Sequence, residues 1–196
     1  MVPDITTHTT LLARLADGGD RAAWGLFLER YGELVRAFAR RQGMQLADCD
    51  DVLQDVLVAL TRAMPGFSYD PAKGKFRSYL KTITLRAVFR RRFQNRGQVE
   101  LEHIEEATRA ASTDEAIEEA WESEWRRYHV RLALLTLSAE FNTVDRRAFQ
   151  RYAVEGAEVR TVGEELGLSV DQVYQAKSRI LKRLTQVIEA QVEDEG

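Results

Sequence analysis

Very little in this sequence offers covalent or metal chemistry. A single cysteine, Cys49, in 196 residues excludes an intrachain disulfide, so a reducing cytosol is the natural compartment and the thiol reads as inert. His8, His103 and His129 are too scattered to form a ligand cluster, so neither a metal nor another cofactor is expected. No glycine-rich phosphate loop, nucleophile elbow or cysteine pair occurs, which gives an enzyme no foothold. Met1 to Thr10 lack the basic start and apolar run of a signal peptide, and no apolar stretch approaches the ~20 residues of a membrane helix. The expectation is a non-enzymatic cytoplasmic protein.

A further absence points to a partner. Between Pro71 and Val99 there is no Asp or Glu, while Lys73, Lys75, Arg77, Lys81, Arg86, Arg90, Arg91, Arg92 and Arg96 all fall there. From Glu100 to Glu124 the balance inverts, and Arg109 stands alone among carboxylates. The formal net charge of -3 therefore hides a sorted distribution. A solvated helix normally mixes signs to gain i,i+4 pairs, so a run without carboxylates favours a polyanion partner. The adjoining acidic run predicts an intramolecular competitor: the segment from Glu100 to Glu124, read as flexible, would contend with phosphate for Arg77, Lys81 and Arg92, and Glu100, Glu102, Glu105 and Glu106 are the residues whose neutralisation should show it.

What is present is helical period almost everywhere. Val, Ile and Thr do not gather into alternating runs between turn signals, so the fold class is all-α. Helices are expected over Thr10 to Ala16, Arg21 to Gln42, Cys49 to Ala63 with Asp48 as its cap, and Phe76 to Gln94. Gly97 to Thr113 has few large apolar residues and reads as an acidic linker. Beyond it, Trp121, Trp125, Tyr128 and Leu132 make an apolar stripe that should lie in the core of a second domain, and a further helix follows over Thr143 to Ala153. Two small helical domains result, residues 1–96 and 114–196, joined by the linker 97–113.

Two faces are not explained by packing. On the third helix Val52, Leu53, Val56, Leu57, Leu60 and Met64 cover one arc, while Asp51, Gln54, Asp55, Val58 and Arg62 point the other way. Val58 is apolar amid polar neighbours, which suits a protein partner. On the basic helix Phe76, Leu80, Ile83 and Ala87 form the core stripe, and Arg77, Lys81, Thr84 and Arg92 line a neighbouring side as a phosphate track. Phe67, Tyr69, Phe76 and Tyr79 lie in or beside the preceding loop, where aromatic faces next to Lys and Arg are what unpaired bases stack upon.

Val159 to Leu184 reads as a helix-turn-helix. The first helix carries Val162 and Leu166 one turn apart and ends at Gly167. Ser169 can cap the second while Gln172 reaches back to the cap, and Val173, Ala176, Ile180 and Leu184 follow on one face. Gln172, Tyr174, Gln175, Ser178, Arg179 and Lys182 are then directed outward. Amides can read adenine bidentately and cations can hold phosphate, so this face has the residue types of a recognition helix.

In this order the features resemble a bacterial RNA polymerase sigma factor of the extracytoplasmic-function type, which keeps regions 2 and 4 of the sigma-70 superfamily. Asp51-Val52-Leu53-Gln54-Asp55-Val56 is similar to the stretch with which region 2 docks on the polymerase. Phe67 to Leu80 is similar to the loop and helix start that melt a promoter, and Leu137 to Leu184 to region 4. The resemblance implies core RNA polymerase (β′ clamp helices and β flap) and promoter DNA as partners, with an anti-sigma factor as a further partner the family admits. It implies Asp51, Gln54, Asp55 and Val58 as polymerase contacts. For the −10 strand it implies Tyr69, Lys73, Lys75, Arg77, Ser78, Tyr79, Lys81 and Arg92. For the −35 element it implies Ser169, Gln172, Tyr174, Gln175, Ser178, Arg179 and Lys182. Thr82 and Ile83 stand where housekeeping sigma factors carry a tryptophan pair, which implies weaker, more sequence-demanding melting. The competing readings are a self-sufficient helix-turn-helix regulator and an adaptor with no DNA role.

Overall fold

The computed structural model describes residues 8–17, 19–65, 76–95, 97 and 100–194, and among these no strand occurs. Its helices are α1 (His8–Ala16), α2 (Arg21–Arg41), α3 (Leu46–Ala63), α4 (Phe76–Asn95), α5 (Leu101–Ser112), α6 (Glu115–Glu140), α7 (Thr143–Phe149), α8 (Val159–Leu166) and α9 (Val170–Asp194). The all-α expectation holds. The chain divides into two compact units, one reaching to Tyr128 and the other running from His129 to Glu193.

In the first unit α2 is the central helix. Asp20 caps it, accepting a 2.9 Å bond from the Ala23 amide while Arg14 holds the same carboxylate at 2.8 Å. Phe27, Tyr31, Leu34, Val35 and Phe38 recur at helical spacing and are all buried. Leu11, Leu12 and Leu15 of α1 and Val52, Leu53, Val56 and Leu60 of α3 close on this core. The third helix starts earlier than its sequence implied: Gln45 stands at the cap without a side-chain bond, and Asp48 lies in the first turn, where its charge suits the positive end of the helix.

The boundary drawn at 97–113 falls elsewhere. Helix α5 occupies most of that stretch and packs on α4 through Ile104, Thr108 and Ala111. This stripe is small and partly polar, so it does not announce itself in composition; the Thr108 hydroxyl is satisfied by the Ile104 carbonyl at 2.7 Å. The aromatic stripe also belongs to the other domain from the one expected. Trp121, Trp125 and Tyr128 are buried in the first unit, with Trp121 edge-on to Phe38 at 5.0 Å and Tyr128 stacked on Tyr31 at 5.2 Å. Burying such side chains contributes roughly 1.5–3 kcal/mol apiece, enough to draw the first half of α6 into a core that otherwise ends at α5.

The second unit is built around α9. Ala148, Val162, Val173 and Ala176 form one buried cluster with Tyr152, Leu166 and Leu168 against it; Leu137, Phe149 and Ile180 form another with Phe141 and Leu184. Asn142 caps α7 by accepting from the Asp145 amide at 2.8 Å. The helix expected to continue to Ala153 instead widens into a π turn over Gln150–Val154 and exits through Gly156 at φ +71°. Among the described residues no helix is long and apolar enough to cross a membrane.

Candidate nucleic-acid interface

The helix-turn-helix is closed by two glycines. Gly167 takes φ +67° after α8, a left-handed conformation that ends the helix without a Cβ penalty. Gly163 has a different reason: a Cβ there would sit 2.7 Å from the Leu168 carbonyl oxygen, because the chain doubles back so that the Leu168 amide donates to the Gly163 carbonyl at 2.8 Å. Sequence reading found the first glycine and missed the second, whose role depends on a close approach rather than on a turn signal.

At the head of α9 the capping box forms as expected. The Ser169 amide donates to Gln172 Oε1 at 2.7 Å, and the Gln172 amide donates to Ser169 Oγ at 3.2 Å. Gln172, Tyr174, Gln175, Ser178, Arg179 and Lys182 are all exposed on one outer arc of the helix. Not all are unengaged. Arg179 pairs with Asp145 at 2.9 Å, and Tyr174 meets Tyr152 edge-on at 5.5 Å, with a hydrogen bond between the phenols that raises the Tyr174 pKa. Lys177, which sequence reading passed over, lies over the Tyr152 ring at 5.0 Å. Arg183 grips Glu140 with two bonds of 2.7 and 2.8 Å, and that hydrogen bonding lowers the Glu140 pKa. Arg151 likewise joins Glu155 and Glu165, and both carboxyls are held below their usual range by its hydrogen bonds.

On α3 the outward set separates as the spacing implied. Gln54, Val58 and Arg62 are exposed and Asp55 is partly so, with Val58 keeping 45 % of its surface in solvent. Asp51 is tied back to α4 by a 3.0 Å ion pair with Arg91.

The basic face of α4 differs most from its sequence picture. Tyr69, Lys73 and Lys75 lie outside the described residues, as does Phe67. Ser78 is exposed, and Tyr79 is half-buried beside Phe76, burial pushing its phenol pKa upward. Thr84, placed on the basic side by the sequence, is buried and donates to the Leu80 carbonyl at 2.7 Å. Arg92 donates to the Gln42 carbonyl at the end of α2 and lies over the Phe89 ring at 5.5 Å. Arg77 forms an ion pair with Glu122 and covers the Trp125 ring at 5.1 Å; Lys81 forms one with Glu118. Arg77 and Lys81 thus meet carboxylates from within the Glu100–Glu124 run, but these stand on helix α6 rather than on a flexible segment.

Residues 27–97, which run from the core of α2 to the end of α4, match the family model for Sigma-70 region 2. Residues 27–97 are a sigma-70 region 2 domain. The resemblance read from the motifs is borne out in this part of the chain, and both Asp51 to Val58 and the described α4 cations fall inside the domain. The chain is similar to the RNA polymerase sigma factor NccH of Alcaligenes xylosoxydans xylosoxydans, at 36% identity over 74 residues, which is 38% of this chain and 38% of that protein. The chain thus spans well under half the length of the relative it matches. A solved structure, CnrH in complex with the cytosolic domain of CnrY, is 24% identical with a TM-score of 0.35, covering 92% of this chain and 96% of that one. Trp121 and Trp125, which bury against the region 2 core, lie beyond the matched residues.

Proposed function

We propose that this chain is a sigma factor of the extracytoplasmic-function type, a non-catalytic subunit that directs core RNA polymerase to particular promoters. The observation that carries the reading is a region 2 domain on the same chain as a capped helix-turn-helix whose outer arc bears amides and cations. In this reading Asp51, Gln54, Asp55 and Val58 dock on the β′ clamp helices. Tyr69, Lys73, Lys75, Arg77, Ser78, Tyr79, Lys81 and Arg92 hold the −10 strand, and α9 acts as a region 4 recognition helix on the −35 duplex. A self-sufficient regulator would leave the polar face of α3 around exposed Val58 without a use.

Run-off transcription of genomic fragments by core polymerase with and without the chain tests the reading directly; new, discrete start sites are expected only with it. Co-purification adds the residue-level test. Asp51→Lys/Asp55→Lys should bind core more weakly by about 2–5 kcal/mol, as for charge pairs truncated at interfaces. Wild-type recovery of the double variant with core would remove these residues from the interface.

A further inference from the structure

Arg77 and Lys81 lie one turn apart on α4, and Glu122 and Glu118 lie one turn apart on α6, pairing in antiparallel register. The two carboxylates present to the cations what a nucleic-acid backbone would present: negative oxygens at intervals along one edge. We propose that Glu118 and Glu122 are resident phosphate surrogates, which occupy the strand-binding cations of the free chain and are exchanged for phosphates when a single strand binds. The proposal rests on the reading of α4 as a strand-binding face.

What distinguishes exchange of side chains from displacement of the helix is the way α6 is anchored. Trp121 and Tyr128 are 1% exposed, and aromatic residues of this kind bury roughly 150–250 Å² each. Tyr128 also accepts a 2.9 Å hydrogen bond from Arg30, and buried Glu124 is held by Arg41 at 3.2 Å and Arg127 at 3.0 Å. Lifting this segment would expose the aromatics and strand a buried carboxylate. Glu118 and Glu122, by contrast, keep 46% and 37% of their side chains in solvent. They can swing into water with α6 in place. Lys81 is 12% exposed and Arg77 25%, so the cations are held at the rim, neutralised until a stronger anion arrives. The device raises the threshold for indiscriminate binding, since a strand must outcompete two fixed counter-ions before it gains either contact.

The test uses the full-length chain and a short fluorescein-labelled oligothymidylate, with anisotropy read from low to physiological salt. Glu118→Gln/Glu122→Gln should bind about 2- to 30-fold more tightly than wild type at low salt, the range expected for losing two partly exposed ion pairs, and the gain should shrink as salt rises. Glu115→Gln/Glu119→Gln removes the same charge from exposed positions of the same helix and should gain distinctly less. Circular dichroism establishes that each variant is folded; the single variants Glu118→Gln and Glu122→Gln carry the test should the double variant unfold. Equal gains for the two double variants, or none for Glu118→Gln/Glu122→Gln, would overturn the surrogate role. Arg77→Ala/Lys81→Ala separates this from the reading beneath it: a weakened variant with no gain from the glutamines rejects the surrogates alone, and wild-type binding by the arginine–lysine variant rejects strand binding on this face and the surrogates with it.

Discussion

Ser169 and Gln172 hold each other through two reciprocal hydrogen bonds at the first turn of α9, with the Gln172 side-chain oxygen 2.7 Å from the Ser169 amide. That oxygen cannot then serve freely as the acceptor half of a bidentate contact to adenine, which needs one donor and one acceptor from the same amide. Gln172 retains its NH₂ donors. Gln175, exposed on the same arc, keeps both functions for a base.

The two glutamines should therefore separate on mutation. Gln175→Ala is expected to relax base preference at one −35 position by about 1–3 kcal/mol with little effect on folding. Gln172→Ala should mainly destabilise the second unit, by about 0.5–2 kcal/mol, the usual worth of a helix cap. A promoter-library selection run beside thermal melts reads both. An undiminished base preference in Gln175→Ala would contradict the assignment.

Gly163→Ala tests the close approach within the helix-turn-helix. In an ordinary helix interior this substitution would gain about 1 kcal/mol. Here the new Cβ meets a backbone oxygen at 2.7 Å, and a main-chain atom cannot rotate away. A net loss of about 1–3 kcal/mol is expected, the scale of overpacking. Urea unfolding followed at α8 and α9 should show it; a stabilised variant would mean that the turn relaxes freely.

Trp121→Ala should unfold the first unit rather than the second. Large-to-small substitution at a buried aromatic costs about 3–5 kcal/mol, a large part of a small domain's stability. Amide exchange should therefore accelerate in α2, where Phe38 loses its ring partner, and stay unchanged in α8. Trp121→Phe should be milder, since the buried indole nitrogen has no hydrogen-bond partner among the described residues.

Acid should loosen the second unit through its carboxylates. Glu155 and Glu165 are held below the ordinary value of 4.5 by hydrogen bonds from Arg151, and Glu140 below it by those from Arg183. A lowered folded-state pKa means stability that is fully present above 4.5 and lost as pH falls through the folded-state values. Arg151→Gln should lower the melting temperature at neutral pH, and the gap to wild type should close on acidification below 4.5. The contribution is small because the pairs are exposed. A gap that persists unchanged into acid would mean that Arg151 acts through packing instead.

Much of this molecule is determined by local sequence. Helical period, the caps at Asp20 and Asn142, the Ser169–Gln172 box and the left-handed Gly167 are dictated by residues within a few positions of one another, and short-range sterics and hydrogen bonding suffice to specify them. The inward arc of α3 and the exposure of Val58 follow from the same periodicity. Tertiary structure alone decided where α6 belongs. An aromatic stripe states that it must be buried but not against what, because hydrophobic burial has no direction, and Trp121 and Tyr128 found Phe38 and Tyr31. That choice made a helix of the expected linker's neighbourhood part of the first core. It also brought Glu118 and Glu122 onto Lys81 and Arg77, a pairing across some forty positions of chain that charge counting could anticipate only as a tendency, since opposite charges attract at any separation and only the packed fold selects which of them meet.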